Sequence, residues 1–169
     1  FLVQFYDRQL YWGNMDDWVM TQGQVNDQSW MHIVLIADTT ESTEADRMQI
    51  WINGTRQTLQ TSSLYDQPSQ NDLFDLFNDD YKYFIGKRNA TTSNADGNIS
   101  QFYFVDGAAK AYKDPLTGIW KPKKYEGTYG TNGFYLPFDG SAPLGKDQSG
   151  NGNNWNVEGG GNSVTEDRA

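Results

Sequence analysis

The residues of this chain best spaced for chemistry lie near its end. Asp147, Ser149 and Asn151 alternate in the run Asp147-Gln148-Ser149-Gly150-Asn151-Gly152, and Glu158 stands at the twelfth position counted from Asp147. Side-chain oxygens at these places in a glycine-turned loop are how an EF-hand surrounds calcium. No helical pattern flanks the loop, however, and Asn154 stands where an aliphatic residue normally pins it. The same residue types also suit an Asx- and Gly-rich turn whose side chains cap their own backbone. Both readings stay open on the sequence.

A second constellation suits sugar recognition, which needs a flat aromatic against the C–H face of a ring and planar amides or carboxylates for its hydroxyls. Trp51 with Gln49 beside it, and Asn94, Asp96 and Asn98 from the Asn89–Gly97 loop and its edge, supply those types. Packing of Trp51 in the second face of a sandwich, or under a neighbouring subunit, explains the same residue. His32, the single histidine, is a general base in principle, but no Ser or Cys signature accompanies it. An apolar strand accounts for it more simply. The N-x-S/T sequons at Asn53, Asn89 and Asn98 arise readily by chance in an Asn- and Thr-rich chain. The acid pairs Asp16-Asp17 and Asp79-Asp80 read as solvated turn residues.

These residues must be positioned by strands. No window sustains apolar spacing at i, i+3, i+4 and i+7; short alternating runs bounded by turn residues recur instead. Phe1–Tyr6, Leu10–Trp12 and Asp17–Thr21 are expected strands, with a turn at Gly13-Asn14. Trp30–Ala37 is nearly continuous in apolar character, which predicts a strand covered on both faces. Arg47–Ile52, Asn53-Gly54 and Thr55–Leu59 form the clearest unit, because Asn-Gly between alternating runs favours a type I′ hairpin turn. On its first strand Met48, Ile50 and Ile52 share one face, and Arg47, Gln49 and Trp51 the other. Leu73–Phe77 is expected to form one helical turn, and Tyr81–Gly86 and Asn98–Val105 two more strands. Phe134–Phe138 is a last strand, placed at an edge by Pro137.

Composition bounds the function. With 169 residues the chain can bury a core without covalent staples. Thirteen Lys and Arg against 22 Asp and Glu give a net charge of −9, which lacks the basic footprint of a nucleic-acid binder. There is no apolar run of the roughly 18 residues that a membrane-spanning helix needs. Zero cysteines exclude a disulfide framework, a thiol nucleophile and a Cys-based zinc site. Aromatics at 15% argue for a folded domain, because disordered acidic chains are poor in them. Four of five prolines and eleven of seventeen glycines lie beyond Asp114. The sequence therefore divides into a β domain over 1–114, an extended arm over 115–133, and a tail over 134–169 made of an edge strand and Gly/Asn-rich chain. The opening Phe1-Leu2-Val3 is expected to be a strand of a longer polypeptide.

Ser29-Trp30-Met31-His32-Ile33-Val34 and Arg47-Met48-Gln49-Ile50-Trp51-Ile52-Asn53-Gly54 resemble the middle of a laminin-G-like domain of the concanavalin A-like lectin/glucanase class. Tyr83-Phe84-Ile85-Gly86 and Gly97-Asn98-Ile99-Ser100-Gln101-Phe102-Tyr103 continue that order, so the resemblance covers roughly Phe1 to Gly107. The segment from Trp120 to Leu136, followed by Leu144-Gly145 and the run from Asp147 to Trp155, resembles virion proteins of marine bacteriophages. The resemblance implies two or more strands before the matching segment, which are expected to be missing from this chain, and Phe134 to Trp155 resembles the start of a further such domain.

The resemblance implies an all-β, antiparallel, jelly-roll β-sandwich with an irregular C-terminal arm. It implies a non-enzymatic structural component of an extracellular phage particle, in its tail, fibre or capsid exterior, assembled with other virion subunits. The alternative is a calcium-dependent module that binds host-surface glycans. Calcium in such domains sits at strand ends, where Asp38, Asp96 and Asn98 are candidates against solvated turn residues. Glucanases of the class carry acid-x-Asp-x-x-acid on one strand, since retaining hydrolysis needs two carboxylates about 5 Å apart. The nearest approach is Glu44, Asp46 and Gln49, where an amide replaces the last acid and cannot act as acid or base. An enzyme is therefore not expected, nor is a nucleic-acid partner or membrane insertion.

Overall fold

The computed structural model describes residues 2–13, 17–26, 29–60, 66–73, 83–86, 97–107 and 123–157. Among them the regular structure is almost wholly β, in small antiparallel sheets. The chain divides into two compact units: one holds the first six strands, the other the last two strands and residues 124–157.

In the first unit, β1 (Leu2–Tyr6), β2 (Gln9–Gly13) and β3 (Trp18–Met20) form a meander. Asp7 and Arg8 make the first turn with φ of 48° and 61°. The pattern of a two-residue loop with positive φ at both positions follows the right-handed twist of the strands it joins. Strands β4 (Ile33–Ala37), β5 (Met48–Ile52) and β6 (Thr55–Arg56) form the second sheet. The expected Asn-Gly turn is present, with φ 49° at Asn53 and 74° at Gly54. Asn53 also secures it by contact, its Oδ1 accepting the His32 N–H at 2.9 Å.

The face assignment on β5 holds. Met48, Ile50 and Ile52 lie opposite Ala37, Leu35 and Ile33, and this face packs with Leu10, Trp12 and Val19 of the first sheet in one apolar cluster. Leu10, Met48 and Ile50 are fully buried. Each such side chain removed from water contributes about 1.5–3 kcal/mol. Backbone bonds also run from the end of β3 to the chain after β6: Gln22 N–H to Thr58 O and Gln60 N–H to Met20 O, both 2.8 Å, flanking a Thr21–Leu59 bridge.

Several expected elements are shorter. Strand β4 starts at Ile33, leaving Trp30 half exposed before it, and as an outer strand of its sheet it is half-buried on both faces rather than fully covered. Arg47 belongs to α1 (Glu44–Arg47), a single helical turn, rather than to β5. Its guanidinium donates to the carbonyls of Glu41 and Pro68 at 3.1 and 2.9 Å, which closes the loop around the helix. Tyr83–Gly86 forms no strand, and Gly86 turns the chain with φ 78°. Tyr81 and Lys82 lie outside the described residues, as does Phe74–Phe77 of the expected helical turn.

In the second unit, β7 (Phe102–Phe104) pairs antiparallel with β8 (Phe134–Leu136). The expected strand over Asn98–Val105 is cut back because Gln101 adopts φ 55°, which breaks the extended run just before Phe102. Among the described residues β8 has β7 as its single partner, so the residue before Pro137 ends an edge strand there, as its proline implies. No helix among the described residues is long and apolar enough to cross a membrane.

Candidate functional site

The densest polar arrangement is built on β8. Alternating aromatics hold the two strands of this unit together: Tyr103 stacks on Tyr135 with centroids 4.4 Å apart, and Phe134 stacks between Phe102 and Phe104 at 5.7 and 5.6 Å. Trp155 meets the same Phe134 ring at 5.1 Å. Burial, followed by the hydrogen bond to Tyr135 and the nearby Tyr135 and Tyr129, pushes the Tyr103 phenol well above its ordinary range.

Beside this ladder the carboxylate of Asp147 is 5% exposed and accepts four hydrogen bonds. Its Oδ1 receives the N–H of Tyr135 at 3.0 Å and of Ser149 at 2.8 Å. Its Oδ2 receives the Ser149 hydroxyl at 2.8 Å and the Asn153 N–H at 2.9 Å. Burial by itself raises the carboxyl pKa; the donors from Tyr135, Ser149 and Asn153 outweigh it and hold the group below its ordinary value. The Asp147 N–H in turn donates to Asn154 Oδ1 at 3.1 Å.

The neighbouring amides are equally committed. Asn151 Nδ2 donates to the carbonyls of Gly130 and Gly133 at 2.6 and 2.9 Å, and Asn153 Nδ2 to those of Thr131 and Gly133 at 3.0 Å each. Gly130 and Gly133 are themselves closely packed: a Cβ built on Gly130 would run into the carbonyl oxygen of Asp106, and one on Gly133 into that of Tyr129. Gly130 also needs φ 73°.

This geometry tests the fit of a cation. A carboxylate offers about four lone-pair sites, and all four on Asp147 face N–H or O–H donors of its own unit. Ser149 Oγ gives its proton to Asp147 and accepts from Asn151 N–H at 3.2 Å, while the Asn151 amide nitrogen faces carbonyls. So arranged, Asp147, Ser149 and Asn151 come together as a self-capped turn. Glu158 lies outside the described residues. Among the described residues no group of three or more His, Asp or Glu side chains is placed to hold a metal. The Asp-x-Ser/Thr device recurs at Asp38–Thr40 and Asp139–Ser141, where Oδ1 accepts both the N–H and the hydroxyl two residues on. Both of these lie on the surface.

Of the residues suited to sugar, Trp51 and Gln49 are adjacent on the β5 face turned away from the core. Trp51 lies opposite Val34 and Arg56, and Gln49 opposite Ile36. The half-buried indole donates its N–H to Gln49 Oε1 at 2.9 Å, and Gln49 Nε2 donates to Asp46 O at 2.9 Å. Asn98 is exposed in the other unit, and Asn94 and Asp96 lie outside the described residues. Asp46 is ion-paired with Arg56 at 2.6 Å, and Arg56 also donates to Ala45 O at 2.7 Å. Burial lowers the pKa of His32, which sits half-buried before β4.

Asn153, Asn154 and Tyr135 are partners of the Asp147 turn that its sequence motif does not name. The run Asn151-Gly152-Asn153-Asn154 was a signal for them, since four consecutive small residues rich in amides suit a loop that bonds to backbone. No family model matches the chain. Neither a curated protein nor a solved structure matches it.

Proposed function

We propose that the chain is a non-enzymatic structural component of a bacteriophage virion, from its tail, fibre or capsid exterior. In this reading the first unit is part of a concanavalin A-like sandwich that assembles with other virion subunits. The observation that carries it is where the chemically capable side chains are directed. Asp147 and Ser149 bond to each other, Asn151 to the carbonyls of Gly130 and Gly133, Asp46 to Arg56, and Gln49 to Trp51 and the chain before it. Side chains committed in this way build a rigid shape and leave little for turnover. The resemblance of Trp120–Leu136, Leu144-Gly145 and Asp147–Trp155 to phage virion proteins is what suggests the particle, and two three-stranded sheets sharing one apolar cluster support the sandwich. Fold alone does not give function.

The direct test is mass spectrometry of purified particles of a phage that encodes this chain. Peptides from it should co-purify with the major structural proteins through a density gradient. Peptides found in lysate and missing from particles would overturn the reading.

A glycan-binding module is the second reading, favoured by the half-buried Trp51 indole on an outward sheet face. It requires saturable binding on a glycan array that Trp51→Ala abolishes while the far-UV spectrum is unchanged.

A further inference from the structure

Strand β1 is an outer strand of its three-stranded sheet. Thr21 donates its N–H to Leu10 O at 3.0 Å, and the Leu10 N–H goes to Thr21 Oγ1 at 3.1 Å, so the backbone groups of Leu10 face β3. In an antiparallel ladder the residue opposite Leu10, Phe5, then directs its own N–H and C=O away from β2, and Val3 does the same two residues back. Among the described residues no strand lies beyond β1 to receive them. Natural edges are usually protected by charge, proline or a bulge. Residues 2–6 read Leu-Val-Gln-Phe-Tyr in unbroken register with β2 and contain none of these.

The side chains repeat the pattern. Val3 lies opposite Trp12 and Phe5 opposite Leu10, so all four are on the core side of the sheet. Trp12 and Leu10 are 2% and 0% exposed, whereas Val3 and Phe5 are 39% and 45% exposed. The apolar face thus runs past its cover onto β1.

We propose that this edge pairs with the β1 edge of a second copy, antiparallel, with Gln4 on the two-fold axis. Among the two-fold registers that align the outward groups, this one pairs all five residues of the strand. Val3 of each copy meets Phe5 of the other, and their outward N–H and C=O groups form four backbone hydrogen bonds. A β-branched side chain then faces an aromatic one on the core side, a favourable cross-strand pair. Gln4 faces its own copy on the other side. Although each chain carries a net charge of −9, residues 2–6 are uncharged, so pairing here places no like charges opposite one another. A five-residue edge is small against the roughly 800 Å² per partner of a standard interface. The contact is therefore weak and closes at high local concentration. It does not depend on the particle assignment.

The test uses the absence of cysteine from the chain. Residues opposite one another without backbone bonds have Cα atoms about 4.5 Å apart, within disulfide range. In a glutathione redox buffer at a few hundred micromolar protein, Gln4→Cys should give at least about tenfold more disulfide dimer than Gln24→Cys, an exposed control. Adding Val3→Pro removes an outward N–H and leaves the β1–β2 bonds intact; adding Val3→Lys supplies the charge that guards natural edges. Each should return the dimer to the control level, and the lysine variant keeps the test decisive if the proline variant loses its β-sheet spectrum. A Gln4→Cys chain that dimerises no better than the control overturns the proposal and leaves the edge to a different strand. Dimers that survive Val3→Lys overturn it equally.

Discussion

The buried Asp147 carboxylate accepts the backbone N–H of Tyr135 at 3.0 Å, tying a β-strand to a loop twelve residues further along the chain. The bond is charge-assisted, and such bonds are roughly twice as strong as neutral ones. It converts an ordinary Asx turn into the anchor of the second unit, because the same carboxylate also organises Ser149 and Asn153.

Asp147→Ala should therefore destabilise this unit by at least about 2 kcal/mol, since it orphans buried donors as well as removing bonds to a charge. Asp147→Asn should cost less but still measurably, because an amide nitrogen cannot accept from the donors it would face. Urea unfolding followed by Trp155 resonances reads both. Wild-type midpoints for both variants would show that the turn holds nothing.

Acid should weaken the same unit. The folded-state pKa of Asp147 lies below the unfolded value of about 3.9. The unfolded chain thus binds the proton more readily, and stability rises with pH across the interval between the two values. The contribution is complete above the ordinary Asp range and is lost as pH falls through the folded value. Urea midpoints should drop over that window in the wild type and change less in Asp147→Asn.

Calcium should not alter stability. A ligand that binds only the folded state raises the melting temperature by mass action, and the Asp147 loop has its oxygens turned to its own donors. Melting curves in millimolar calcium and in chelator should coincide. An upward shift of several degrees in calcium would mean that the loop rearranges around the ion.

The two sheets of the first unit should fail together. Leu10→Ala and Ile50→Ala remove fully buried side chains from one cluster, and each should cost about 2–5 kcal/mol. As members of one cluster they should also couple by at least about 0.5 kcal/mol in a double-mutant cycle. Strict additivity would separate the sheets into independent cores.

The Asn-Gly hairpin offers a local test. Gly54→Val places a β-branched residue at φ 74°, where it is strained, and should cost more than Asn53→Ala, which loses the bond from His32. Each is read by urea midpoint, and equal effects would deny the turn its left-handed geometry.

Local rules made part of this protein legible. Alternation set the faces of β5, and the pair Asn53-Gly54 set its turn, because both depend only on neighbours along the chain. The Asp-x-Ser/Thr spacing likewise suits a self-capping turn, and one forms at Asp38, Asp139 and Asp147. Strand length was less legible, since a single backbone reversal at Gln101 ended a run that composition would have continued.

Which turn matters was decided only by the tertiary structure. Asp38 and Asp139 sit in solvent, where water replaces a lost bond at little cost, whereas Asp147 is buried and reached by Tyr135 and Asn153. The sequence also could not pair Phe102–Phe104 with Phe134–Leu136 across some thirty residues. Both outcomes depend on long-range pairing and on which groups lose their water, and neither is encoded in the spacing of neighbours. The sequence by itself determined the small antiparallel strands, the turn chemistry and the excess of acid. Among the described residues the fold buries the Asp147 carboxylate and leaves β1 at the edge of its sheet.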